Sequence, residues 1–265
     1  MDIDWLELWR ELVITNSHPR NRGLISRYKA HARKRGERPD PLLDFILKNI
    51  NSQTMILDVG AGSGRWTIPL AKIAGRVTAV EPSDAMGNIL RENLVSTRVN
   101  NVEIVQSCWE EAIVQPHDII VCAHAMYATP DLGSFVRKVE QYARKSCYLA
   151  MRLPSADGII GMLSLSIYGH RHDSPNAIIA YNALYAMGIY ANVLVESDID
   201  RWTNDTFEQA FARAKRHLHL GSSTTHDKLI RETLAQRLSL LNNIYVWPDG
   251  MRSALFWWSP PAISK

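Results

Sequence analysis

Cysteine is scarce in this 265-residue chain. Cys108, Cys122 and Cys147 are an odd count with no C-x-x-C pair. That pattern offers neither a disulfide framework nor a zinc knuckle, and it suits a reducing compartment, so a cytoplasmic protein is expected. Long apolar runs are missing too. No stretch of about 18 apolar residues occurs, so no transmembrane helix is expected. The first residues, MDIDWLELWRELVI, are amphipathic and acidic where a secretory leader would be basic. Charge of one sign is also in short supply. The 30 Lys and Arg against 27 Asp and Glu leave +3, too mild by itself to imply nucleic acid. With 46% hydrophobic and 22% charged residues, wholesale disorder, collagen and coiled coil are excluded. Neither an internal repeat nor a low-complexity tract is present.

What charge there is lies unevenly. Between Arg20 and Arg38 stand Arg20, Arg22, Arg27, Lys29, Arg33, Lys34, Arg35 and Arg38 against Glu37 alone. This segment is a solvated helix and loop, or a surface for an anionic partner. Pro39-Asp40-Pro41 ends it, because proline lacks an amide donor and restricts its neighbour.

From there strands and helices alternate. Short Val/Ile-rich runs at 55–59, 76–81, 102–106, 118–122 and 147–151 read as strands buried on both faces. Helical spacing fills the gaps, at 42–50, 66–73, 84–94 and 132–143. Runs at 191–196 and 252–258 add a sixth and a seventh strand. The pattern predicts an α/β fold, a doubly wound, seven-stranded, mostly parallel sheet. Residues 1–40 are expected to form a helical cap segment ahead of a main domain at 41–265. Residues 155–175, with Gly158, Gly161, Gly169 and a polar GHRHDSP stretch, read as a mobile, lid-like insertion after strand five. Further helices are expected at 176–187, 203–219 and 228–241.

The decisive run is Leu57-Asp58-Val59-Gly60-Ala61-Gly62-Ser63-Gly64, at the end of the first strand. Glycines let the chain turn sharply and bring backbone amides against a ligand, and the next helix N-terminus adds positive dipole character. The dinucleotide fingerprint G-x-G-x-x-G fails, because the sixth residue from Gly60 is Arg65, and no P-loop Lys follows. What stands is D-x-G-x-G-x-G, whose acid opposes a pyrophosphate and suits a ligand with a cationic amine. Glu81 ends the second strand, 21 residues after Gly60, where an acid can accept hydrogen bonds from a ribose diol.

With these residues the chain resembles the class I S-adenosylmethionine-dependent methyltransferases. The resemblance is carried by LDVGAGSGRWTIPLA, VTAVEPSDAM, VEIVQSCWEEA and HDIIVCAHAMYATPDLGSFVRKV. It covers residues 41–154 and, loosely, the strands near Ala191 and Ala254. It implies S-adenosylmethionine as cofactor and S-adenosylhomocysteine as product. It implies that Asp58, Gly60, Ala61, Gly62 and Gly64 line the methionine part. Glu81 would hold both ribose hydroxyls, and Pro82 or Met86 would pack near adenine. Where relatives often carry an acid for the adenine amine, this chain has Cys108. That leaves the amine to backbone or to Glu110, with Trp109 available to cover the ring or to pack in the core. Ala123 and His124 follow strand four, where sulfur and acceptor meet in such proteins. His124 and Tyr127 are therefore the catalytic candidates. His124 has the pKa of a base but could equally bond the cofactor or cap a helix, and Tyr127 could be a pocket wall. In many relatives an N-terminal helix closes over the cofactor, and Tyr28 is expected to make that contact.

Absences narrow the chemistry. No Asn/Asp-Pro-Pro-aromatic run follows strand four, no Pro-Cys supplies a pyrimidine-attacking thiol, and no Cys-Cys pair suggests arsenic. His170, His172 and Asp173 lack further ligands at fixed spacing, so no metal is expected. His217 and His219 are expected to cap carbonyls or face water. The resulting expectation is methyl transfer to a small-molecule acceptor, with a membrane excluded, nucleic acid disfavoured and oligomeric state open. Two alternatives stand beside it: an RNA or protein methyltransferase using the basic 20–38 segment, and a non-catalytic cofactor-binding regulator.

Overall fold

The computed structural model describes residues 3–16, 39–197, 201–248 and 250–261. The basic 20–38 segment, Tyr28 included, lies outside the described residues. Seven strands form one sheet in the order β3-β2-β1-β4-β5-β10-β6. These are β1 (Met55–Val59), β2 (Arg76–Val80), β3 (Val102–Val105), β4 (His117–Ala123), β5 (Ala143–Leu153), β6 (Asn192–Val195) and β10 (Arg252–Trp258). The first five pair in parallel, and β10 runs antiparallel between β5 and β6. The expected doubly wound, mostly parallel sheet is thus present, with its strands where the apolar runs lie.

Alternate side chains divide the sheet into two buried faces. On one, Leu57, Val59, Ile120, Cys122, Leu149 and Met151 meet α1 (Trp5–Asn16), α5 (Leu132–Tyr142) and α7 (Ala177–Ala186). The N-terminal helix is a core element: Trp9 is fully buried, and its indole N–H donates to the Thr129 carbonyl at 2.8 Å. On the other face, Ile56, Val77, Ile119, Val121 and Tyr148 meet α2 (Pro41–Leu47) and α3 (Thr67–Ala71). α4 (Asp84–Ser96) adds Leu90 and Leu94 against Ala79. Asp40 caps α2 by accepting from the Leu43 amide at 3.2 Å, and Pro41 opens the helix where no donor is needed.

A second, smaller core lies between the last strands. α6 (Ile159–Tyr168), α8 (Phe207–His217) and α9 (Asp227–Arg237) pack around buried Trp247, beside a three-stranded sheet β7-β9-β8. Its strands are β7 (Thr203–Asn204), β8 (Ser239–Leu241) and β9 (Ile244–Val246). Two expected helix boundaries shift, and residues 155–175 hold a helix that their glycines do not suggest. Half of the 155–175 insertion is helix, because Ile159, Ile160 and Leu163 bury one side of it. The helix expected from 203 starts at Phe207, capped by Thr206 accepting from the Gln209 amide at 3.1 Å. The helix expected through 241 stops at Arg237, since Asn242 and Asn243, at φ 50° and 61°, turn the chain into a hairpin.

Candidate active site

Strand order reverses between β1 and β4, since β1 leads outward to β2 while β4 leads outward to β5. The crevice beyond the strand ends at such a reversal is where open α/β sheets receive ligands. The glycine loop turns there. The Gly60 and Ala61 amides donate to the Val80 carbonyl at 2.8 and 3.1 Å, which ties the loop to the end of β2. Gly60 stands at φ +75°, and a Cβ on it would lie 2.1 Å from the Ala125 Cβ of the β4–α5 loop. No other residue lets these two loops approach so closely.

Glu81 closes the turn. It is 7% exposed, and its two oxygens each accept an amide at 2.8 Å: Oε2 from Gly62 and Oε1 from Ser83. A carboxylate offers about four lone-pair sites, so acceptor capacity is left over for a further donor such as a diol. Exposed Pro82 and half-buried Met86 flank it at the same strand end. The Asn93 side chain donates to the Ser63 carbonyl at 2.9 Å and fixes the loop to α4.

Asp58 sits beneath the loop at 2% exposure, accepting from the Thr67 hydroxyl at 2.6 Å. Burial pushes its pKa up to about 6, against the pull of the Thr67 bond and with a further push from Glu81. Two buried acids beside a loop without Lys or Arg make poor company for a pyrophosphate. They suit a cationic amino-acid nucleoside, so the residues present fit the cofactor that the resemblance implies.

Beyond β4, His124 adopts a left-handed backbone at φ 57°, and its amide donates to the Ala150 carbonyl at 2.9 Å. Its Nδ1 lies 3.1 Å from the Tyr127 hydroxyl. The Arg152 amide, near the end of β5, donates to that same hydroxyl at 2.6 Å. Either the phenol donates to His124 Nδ1, with the imidazole proton on Nε2, or Nδ1–H donates to the phenol oxygen, so this bond couples the imidazole tautomer to Tyr127. Burial raises the Tyr127 pKa, with Arg152 pulling against it. The Arg152 guanidinium stands 4.2 Å from the centre of the Tyr127 ring. Half-buried Ala123 ends β4 beside this group.

After β3 the expected residues separate. Trp109 is 4% exposed, its ring edge-on to Phe135 and Tyr142 with the Lys138 ammonium 4.8 Å away, so it packs in the core. Half-buried Cys108 and exposed Glu110 flank it, and Glu110 accepts from the Thr129 hydroxyl at 2.8 Å. Burial pushes the Cys122 and Cys147 thiols well up, which disables both as nucleophiles.

Sequence reasoning passed over several supports of this site. Asp40 forms an ion pair with Arg65 and accepts from the Trp66 indole at 2.8 Å, clamping the loop's exit to α2. Thr67, Asn93 and Arg152 carry no local signal either, since each acts through a fold contact that no motif announces, whereas Ser83 caps α4 as its place before Asp84 suggests. Among the described residues no group of three or more His, Cys, Asp or Glu could hold a metal, and no helix is long and apolar enough to cross a membrane.

Residues 56–146 match the family described as "Methyltransferase domain". An uncharacterised protein of Haemophilus influenzae is 23% identical over 97% of both chains. A protein-L-isoaspartate O-methyltransferase of Methanoculleus marisnigri is 29% identical over 44% of this chain; the match spans 56% of that relative's length. A candidate methyltransferase from Bacillus halodurans shares the fold at a TM-score of 0.57, with 17% identity over 84% of this chain and all of its own.

Proposed function

We propose that the chain is a class I S-adenosylmethionine-dependent methyltransferase, a reading that the match of residues 56–146 to a methyltransferase domain supports, and that its acceptor is a small molecule held between the glycine-loop crevice and the α6-α8-α9 unit. The observation carrying this reading is topological. β5 and β6 lead out of the sheet into the segments that build the smaller core, and β10 returns from it, all at the end of the sheet where β1 and β4 also finish. A second packed unit rooted beside the crevice supports an enclosed acceptor pocket, with residues 155–175 as part of its cover.

When bound, the cofactor supplies a methyl carbon already activated by positive sulfur. The chain's own residues then have positioning to do, which contributes much of the rate in such displacements. The loop amides and Glu81 would hold the amino-acid and ribose ends, with Gly60, Ala61, Gly62 and Gly64 lending backbone. Asp58 would stabilise a cationic amine from below. Pro82, Met86, Cys108 and Glu110 would border the base. Ala123, His124 and Tyr127 would border the acceptor. With its proton on Nε2, His124 orients an acceptor as a donor. It serves as a base only in the other tautomer, where Nδ1–H donates to the Tyr127 oxygen.

The test uses methyl-labelled cofactor with a cell extract fractionated into low-mass compounds, RNA and protein. Label in the low-mass fraction is expected. Label in RNA, lost steeply with rising salt through counterion release, would replace this reading with a nucleic-acid substrate, and label in protein would replace it with a protein one.

A further inference from the structure

Arg152 is a charged residue near the end of β5, joined through Tyr127 to His124. Its backbone amide donates to the Tyr127 hydroxyl, and its side chain engages the same residue, pulling against the rise of the phenol pKa. The guanidinium lies over the Tyr127 ring, and its Nε is buried without a hydrogen-bond partner. Every ion pair among the described residues leaves Arg152 out. A partly buried cation with an unsatisfied N–H is costly unless an anion joins it. Contact with Tyr127 accounts for the guanidinium's place beside the ring, but not for its unpaired Nε–H.

Position makes the charge informative. Arg152 follows Ala150, whose carbonyl anchors the His124 amide. One step along the network, Tyr127 bonds both the Arg152 amide and the His124 ring. The guanidinium is therefore fixed to the residues that flank the acceptor side. At the ends of β1 and β2 the buried groups Asp58 and Glu81 are acids, whereas Arg152 is a cation near the end of β5, two strands from β1 in the sheet. The guanidinium rests against the Tyr127 ring, and its Nε–H, which has no partner, is left to meet a ligand. Edge-on, a guanidinium pairs in plane through two parallel N–H groups, a geometry that a flat carboxylate matches.

We propose that Arg152 is the residue that recognises the methyl acceptor, and that the acceptor carries a carboxylate which pairs with its guanidinium beside His124 and Tyr127. The inference rests on the methyltransferase reading, and the experiment keeps the two apart. S-adenosylhomocysteine is first titrated into wild type, R152Q and R152K. R152Q preserves the backbone amide that Tyr127 uses, so cofactor-product binding is expected to agree within about twofold among the three. Failure of wild type to bind it would sink the methyltransferase reading itself. The saturated proteins are then titrated with benzoate, benzamide and phenylphosphonate by ligand-observed NMR. Benzoate is expected to bind wild type and to lose about 10- to 100-fold in R152Q, the usual cost of a charged hydrogen-bond partner. R152K, which keeps charge without the planar fork, is expected in between. Benzamide should bind no better than it does to R152Q. Benzoate binding equal in wild type and R152Q, or absent in wild type while S-adenosylhomocysteine binds, overturns the assignment. So does phenylphosphonate binding more tightly than benzoate, which would make the site a phosphoryl one.

Discussion

Replacing Asp58 by Asn removes a charge from a place where folding opposes that charge. The carboxyl is 2% exposed, and burial is the main reason its pKa rises from 3.8 to about 6. For an acid whose native pKa lies above its unfolded one, the ionised form is the less stable when folded. The unfavourable contribution is absent below 3.8, grows as pH rises, and is complete above about 6. The difference between those two values corresponds to a ceiling of about 3 kcal/mol. Between about pH 4.5 and 7.5 the contribution changes by about 2 kcal/mol. Asn keeps an oxygen for the Thr67 hydroxyl but carries no charge, so D58N isolates the titration. Urea denaturation of both proteins at about pH 4.5, 6 and 7.5 provides the assay. D58N is expected to be the more stable at pH 7.5, with a gap that narrows by about 2 kcal/mol at pH 4.5. A gap constant over that range would show that Asp58 does not titrate there, and the account of a buried acid beneath the loop would fail.

Three further outcomes follow from the same geometry. Gly60→Ala places a Cβ 2.1 Å from the Ala125 Cβ at a positive φ, so thermal melts should show a loss of about 1–3 kcal/mol or more. A125G should restore only the part due to the clash. Trp109→Ala should cost about 3–5 kcal/mol in stability, because the ring is core; unchanged stability with weakened cofactor binding would return Trp109 to the adenine. Tyr127→Phe removes the hydroxyl shared by the Arg152 amide and His124. It should destabilise by about 1–3 kcal/mol and lower kcat while leaving S-adenosylhomocysteine affinity intact. An equal loss of that affinity would contradict its acceptor-side placement.

Much of this architecture could be read from the residues. The parallel strands announce themselves because burial on both faces favours runs rich in Val, Ile and Leu, as in Met55–Val59 and Ile119–Val121. The turn at Gly60 announces itself because only glycine tolerates the approach of Ala125. Glu81 could be placed beside that turn because its spacing fits one crossover between adjacent parallel strands. The smaller core was harder. Gly158 and Gly161 suggested a loop, yet Gly161 sits inside α6, where a Cβ would come within 3.3 Å of the Arg171 carbonyl. Asn242-Asn243 is a hairpin signal hidden by helical spacing that runs up to it. Trp109 could cover either a base or the core from its position after β3, and only the packing of Phe135, Tyr142 and Lys138 decides. Arg152 escaped notice because its meaning depends on which residues β4 and β5 bring level, a matter of register rather than of motif.

Glu81 and the loop that it closes form the proposed cofactor site, and isothermal calorimetry with S-adenosylhomocysteine probes that site without an acceptor. Wild type is expected to bind one equivalent saturably. E81Q, which can accept only through one oxygen and presents an N–H toward a loop amide, is expected to bind about tenfold or more weakly with its fold retained. Equal affinity in the two proteins, or no binding in wild type while a nicotinamide dinucleotide binds, would contradict the account.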